Sequence, residues 1–68
     1  MKKTYFKKLY FNEEPVTEYV TVELNSDGTY YMSTTRVSQS SGFPVYTRDE
    51  NVGFDAVDFL EKEGYEEL

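Results

Sequence analysis

The sequence predicts an α+β domain: a three- to four-stranded antiparallel β meander followed by one short C-terminal α-helix packed on one face of the sheet. Two observations support this fold class. Residues 3–37 alternate apolar and polar side chains in segments separated by turn sequences, which is typical of half-buried strands. Residues 54–65 carry apolar side chains at helical spacing between an N-terminal and a C-terminal capping signal.

The first two strands are predicted at Lys3–Phe11 and Val16–Leu24. The first ends at Asn12–Pro15, a turn signature in which the proline lacks a ladder donor. The second alternates apolar with polar residues, and Glu18 is the one charged residue in its apolar row. On the first strand we expect the core-facing residues to be Tyr5, Lys7, Leu9 and Phe11.

The sequence NSDG at residues 25–28 provides the residue types that tolerate positive φ in a tight hairpin loop. A third strand is therefore predicted at Thr29–Val37, with Tyr30 and Met32 facing the core. A polar loop follows. We expect Phe43–Arg48 to form a short fourth strand at an edge, because Pro44 within it cannot donate a ladder hydrogen bond.

The helix is predicted at residues 56–63. Asp55 fits the N-cap position, and Phe54 with Phe59 fits a hydrophobic staple around it. Gly64 fits the left-handed position just past the last turn.

Length and composition limit the range of functions. A chain of 68 residues predicts a single domain, residues 1–68, with a modest core. It contains no cysteine and no histidine, which excludes disulfides, thiolate metal sites and Ser-His or Cys-His catalysis. We therefore expect a protein that is not an enzyme and has no catalytic residue, metal site or cofactor.

Charge is unevenly distributed along the chain, with a net value of −6. The last fifteen residues hold six carboxylates and one lysine. Helix capping accounts for two of these acids, because negative charge is favoured at a helix N-terminus. It does not account for the acids at or beyond the helix end. The candidate contacts to a basic partner are Glu61, Glu63, Glu66 and Glu67, and the alternative is that they only keep the protein soluble.

The same charge argues against direct nucleic-acid binding, which depends on Lys and Arg contacts to phosphates. Residues 1–12 hold four lysines and no acid, but this is only a short basic stripe. Lys7 and Lys8 interrupt any signal-peptide core, and no apolar stretch approaches the ~18 residues of a membrane span. We expect a cytoplasmic protein without membrane contact.

A partner is expected because a helix about 10 Å across covers roughly two strands at ~4.8 Å spacing. Part of an aromatic sheet face then stays open. The predicted anchors on the face turned away from the helix are Tyr10, Tyr19 and Tyr31, with Phe6 and several threonines beside them.

The functional prediction is a small acidic protein-binding module that docks on another protein. It fits an inhibitor or regulator of a basic, nucleic-acid-binding host protein, with carboxylates standing in for phosphates as in DNA mimics. Its size and charge are also typical of phage or mobile-element products. The alternative is a homodimer or other homo-oligomeric structural protein that associates through its tyrosine-rich sheet face.

Overall fold

The computed structural model describes residues 1–68 and contains one sheet and one helix. The elements in chain order are β1 (Lys2–Phe11), β2 (Glu14–Leu24), β3 (Tyr30–Ser38), β4 (Pro44–Val52), α1 (Ala56–Lys62) and β5 (Glu66–Glu67). The strands are antiparallel in the order β4-β3-β2-β1-β5. The α+β class is confirmed. The expected number of strands, three to four, is wrong, because the sheet has five.

Tight turns connect the strands of the meander. Between β1 and β2, Asn12 and Glu13 both adopt positive φ, at 52° and 64°, which is the backbone of a two-residue hairpin loop. Between β2 and β3, Gly28 has φ 88°, and Asp27 Oδ1 accepts hydrogen bonds from the amide and hydroxyl of Thr29 at 3.0 and 2.6 Å. These hydrogen bonds lower the pKa of the Asp27 carboxyl. The predicted loop at residues 25–28 is confirmed.

The hydrophobic core lies between α1 and the sheet. The strand register sets Tyr5 opposite Val20 and Val22 opposite Met32, so these side chains share one face. Because Met32 is buried, the predicted orientation of β3 is confirmed. The buried cluster consists of Tyr5, Val20, Val22, Met32, Ala56 and Leu60.

Both predicted caps of α1 are present. Asp55 accepts a hydrogen bond from the amide of Asp58 at 3.1 Å, and the rings of Phe54 and Phe59 lie 5.3 Å apart. At the other end Gly64 has φ 87°, so the chain reverses direction.

That reversal produces β5, which the sequence did not predict. β5 places Glu67 opposite Tyr5 and Glu66 opposite Phe6, and the amide of Leu68 donates to the carbonyl of Thr4 at 2.8 Å. Two adjacent glutamates have low strand propensity, so the free edge of β1 is what makes them a strand. β4 likewise extends past the predicted Arg48 because β3 offers pairing partners as far as Tyr30.

Candidate functional site

One face of the sheet is turned away from α1, and no helix packs on it. The register sets Glu66, Phe6, Tyr19, Thr35 and Thr47 side by side, in one row across all five strands. We call this surface the helix-free face. Its other members are Lys2, Thr4, Lys8, Tyr10, Thr17, Thr21, Glu23, Tyr31, Ser33, Val37, Asp49 and Asn51.

The aromatic residues of the helix-free face are accessible to different degrees. Tyr10 is 77% exposed and Tyr19 is 37% exposed, whereas Phe6 and Tyr31 are half-buried. Hydroxyl side chains fill the space between them, and the hydroxyl oxygens of Thr4 and Thr21 lie 3.1 Å apart. The face therefore offers aromatic area and hydroxyl groups, a combination suited to contact with another surface.

Two aromatic rings from distant strands meet on the α1 side of the sheet. Phe11 on β1 and Tyr46 on β4 have ring centroids 5.5 Å apart, on the side of the sheet that carries α1. β2 and β3 lie between their strands, and the register sets Tyr46 level with Lys7, four residues from Phe11. Their backbones would therefore lie about 20 Å apart in a flat sheet. The rings can meet because the sheet curls toward α1.

The four candidate glutamates lie at the β5 edge of the sheet and do not form one surface. Glu66 belongs to the helix-free face, beside Phe6. Glu67 lies on the α1 side, 3.9 Å from Lys3 Nζ, and Glu61 accepts a hydrogen bond from the Tyr5 hydroxyl at 3.3 Å. The main-chain carbonyl of Glu63 accepts a hydrogen bond from the ammonium of Lys7 at 2.7 Å. The acids therefore lie among lysines of β1, and only Glu66 is on the same face as the candidate tyrosines.

A buried charge cluster lies on the α1 side of the sheet. Glu18 is only 4% exposed; it accepts hydrogen bonds from Arg36 Nε at 2.7 Å and from the Tyr65 hydroxyl. The guanidinium of Arg36 lies 4.6 Å from the Phe11 ring centroid and 4.5 Å from that of Tyr46. Burial, together with the Glu18 carboxylate, raises the pKa of the Tyr65 hydroxyl.

The sequence alone did not predict this cluster. Glu18 was visible as a charged residue in an apolar row, but its partners come from β3 and from the segment after α1. Only the register, in which Glu18 lies opposite Arg36, identifies the pair.

A groove of about 160 Å³ runs beside the cluster, between α1 and β4. Its walls include Arg36, Tyr46, Arg48, Glu50 and Phe59. Ligand pockets usually measure about 300–1,000 Å³, so this groove fits a single side chain better than a cofactor. No group of three or more acidic residues is arranged to hold a metal ion.

Comparisons with protein-family models, with curated proteins and with solved structures found no match to this chain. The single helix, α1, has seven residues, and no helix is long and apolar enough to span a membrane.

Proposed function

We propose that this protein is a non-catalytic binding module that docks a partner protein on its helix-free face. The observation that supports this most is the uncovered aromatic row of Phe6 and Tyr19, with the exposed Tyr10 on the same strand as Phe6. Tyrosine and phenylalanine are enriched in protein interfaces, and tyrosines are frequent hot spots because they bury a large area with few rotatable bonds. Threonine hydroxyls between the rings supply hydrogen bonds to the partner.

The shape of the face favours a protein over a small molecule. A depression of about 290 Å³ on this face, lined by Lys2, Thr21, Glu23, Tyr31 and Ser33, lies just below the ~300–1,000 Å³ usual for ligand pockets. Self-association through this face is the alternative. The partner that we propose is a different protein.

The net charge of −6 favours a basic partner, such as a protein that binds nucleic acid. Glu66 would contact it directly, while Glu61, Glu63 and Glu67 would act from the adjoining β5 edge. Such charges mainly accelerate association and contribute less to final affinity. Occupying the basic site of such a partner would inhibit or regulate it, and this is the biological role we propose.

A pull-down of the tagged protein from nuclease-treated lysate tests the proposal when face variants are compared. Tyr19→Asp places a charge in the centre of the helix-free face. Phe43→Asp adds the same charge at an aromatic residue that is 70% exposed in the loop before β4, so it is the matched control.

We expect a stoichiometric basic partner that the wild type and Phe43→Asp retain and that Tyr19→Asp loses. A partner retained by Tyr19→Asp but lost by Phe43→Asp would place the contact at the loop before β4 and refute the proposal. Changing all four candidate glutamates to glutamine should slow association with the identified partner and reduce its salt dependence. Unchanged kinetics would show that these carboxylates do not accelerate association.

A further inference from the structure

β4 forms one edge of the sheet, and the outer side of its nine residues has no strand partner. The opposite edge, β1, is partly covered by β5. Unpaired edges expose backbone donors and acceptors that readily bind another strand. Charged side chains on an edge usually block such pairing, so the arrangement of the charges on β4 decides what it can bind.

The charges on β4 complement those of a second, antiparallel β4. Tyr46, Arg48, Glu50 and Val52 lie on the α1 side of the strand. If Asp49 lies opposite Asp49 of a second copy, Arg48 of each copy lies opposite Glu50 of the other, and Tyr46 lies opposite Val52. The ion pair and the apolar pair each form twice, because the contact is two-fold symmetric.

The neighbouring registers that keep the faces aligned are unfavourable. A shift in one direction sets Arg48 opposite Arg48, and a shift in the other sets Glu50 opposite Glu50; like charges directly opposed destabilise a strand pair. A further shift toward the start of β4 brings Pro44, which lacks an amide donor, and the irregular pairing beside Val37 into the ladder. A further shift toward its end centres the ladder on Asn51 and pairs only residues 50–52 of the two strands. The register centred on Asp49 has one unfavourable contact, between the two Asp49 carboxylates on the helix-free face.

We infer that the protein forms a symmetric homodimer in which two β4 strands pair antiparallel, with Asp49 at the two-fold axis, to give one continuous ten-stranded sheet. The axis runs perpendicular to the sheet, so both helix-free faces point the same way. A partner with two sites could then bind both faces together. Seven residues from each β4 bury less area than the roughly 800 Å² per subunit of a stable interface, so the dimer is weak and depends on concentration.

Sedimentation equilibrium between about 10 µM and about 1 mM protein tests this inference, because a small interface dissociates in that range. The wild type should pass from monomer to dimer. Arg48→Glu should raise the dissociation constant roughly tenfold or more. Lys62→Glu is the matched control: it makes the same charge change on α1, at a side chain 75% exposed, and should weaken the dimer much less than Arg48→Glu does.

Two further variants test the register. Arg48→Glu combined with Glu50→Arg keeps the net charge and exchanges the partners of each ion pair, so it should restore the wild-type constant to within about threefold. Asp49→Asn removes the one like-charge contact and should strengthen the dimer about threefold or more. Its amide oxygen can still accept the hydrogen bond that Ser33 gives to Asp49 at 2.8 Å.

A wild type that stays monomeric at the highest concentration would overturn the inference. So would equal effects of Arg48→Glu and Lys62→Glu, failure of the double variant to restore the dimer, or weakening by Asp49→Asn. Tyr19→Asp should leave this dimer intact even though it abolishes binding of the proposed partner, so the two proposals fail independently. If Tyr19→Asp abolished the dimer and Arg48→Glu did not, self-association would be assigned to the helix-free face and the β4 pairing would be overturned.

Discussion

Tyr65 donates a hydrogen bond from its hydroxyl to the buried carboxylate of Glu18 and thereby joins the segment after α1 to the middle of β2. The same carboxylate accepts a hydrogen bond from Arg36 on β3. One buried acid thus links three parts of the chain that are distant in sequence. A buried carboxylate is tolerated only when its lone pairs have donors, so the cluster should be sensitive to loss of either partner.

Tyr65→Phe removes one donor from Glu18 and keeps the ring in place. We expect a loss of about 1–2 kcal/mol in the free energy of unfolding, because a buried charged acceptor loses a hydrogen bond. Urea denaturation monitored by circular dichroism measures it. Tyr10→Phe, at a hydroxyl in solvent, is the control and should change stability little; equal effects of the two variants would contradict this assignment.

Arg36→Lys keeps the positive charge but loses the planar group between Phe11 and Tyr46 and the Nε donor to Glu18. The expected destabilisation is about 1–3 kcal/mol, since a lysine cannot reproduce both contacts. Arg48→Lys is the matched control, because the Arg48 side chain is 59% exposed and its ion pair with Glu50 lies at the surface. A surface pair is worth about 0–1 kcal/mol. Similar urea midpoints for both variants would show that stacking of Arg36 on Phe11 and Tyr46 contributes nothing to stability.

Stability should fall at alkaline pH. Burial raises the pKa of Tyr5 and of Tyr65, with nearby carboxylates adding to the shift. An unfolded tyrosine has a pKa of about 10, so above that pH the unfolded chain releases these protons more readily than the folded one. The contribution of both hydroxyls is therefore complete below about pH 10 and is lost as pH rises beyond it.

Urea midpoints measured at several pH values from about 8 to about 11.5 cover this window. The double variant Tyr5→Phe/Tyr65→Phe should lose stability less steeply with rising pH than the wild type does. Tyr10→Phe should follow the wild-type slope. Parallel plots of urea midpoint against pH for the wild type and the double variant would contradict the link between these two pKa shifts and stability.

The hairpin between β1 and β2 contains an unfavourable residue. Glu13 adopts φ 64°, a conformation in which a side chain with a Cβ is strained. Glu13→Gly should therefore raise the free energy of unfolding by about 0.5–1 kcal/mol, as expected for the favoured Asn-Gly loop. Glu13→Ala removes the same carboxylate but keeps the Cβ and should give no gain. A stabilisation of equal size in both variants would point to charge and not to backbone strain.

The local elements were predictable because their signals are local. The alternation from Val16 to Leu24, the loop at residues 25–28 and the capping of α1 by Asp55 each depend on residues within one turn or strand. Even so, β4 extends past its predicted end and β5 was missed. Both depend on an available strand edge, which no property of their own residues reveals.

The candidate site was predictable only in part. The alternation in each strand set the tyrosines on the face away from α1, and the register supports that arrangement. Proximity in sequence grouped the four glutamates, whereas the reversal at Gly64 and the pairing of β5 distribute them between the helix-free face and the α1 side.

The sequence by itself determined the α+β class, the first three strands and the place of a fourth, the helix and its caps, and the net acidity. Periodicity, turn chemistry and charge are properties of neighbouring residues, so they can be read without a fold. The tertiary structure alone decided the fifth strand, the curl of the sheet, and the pairing of Glu18 with Arg36 and Tyr65. These features depend on which strands lie side by side and in which register, because only then do residues distant in sequence come within contact distance.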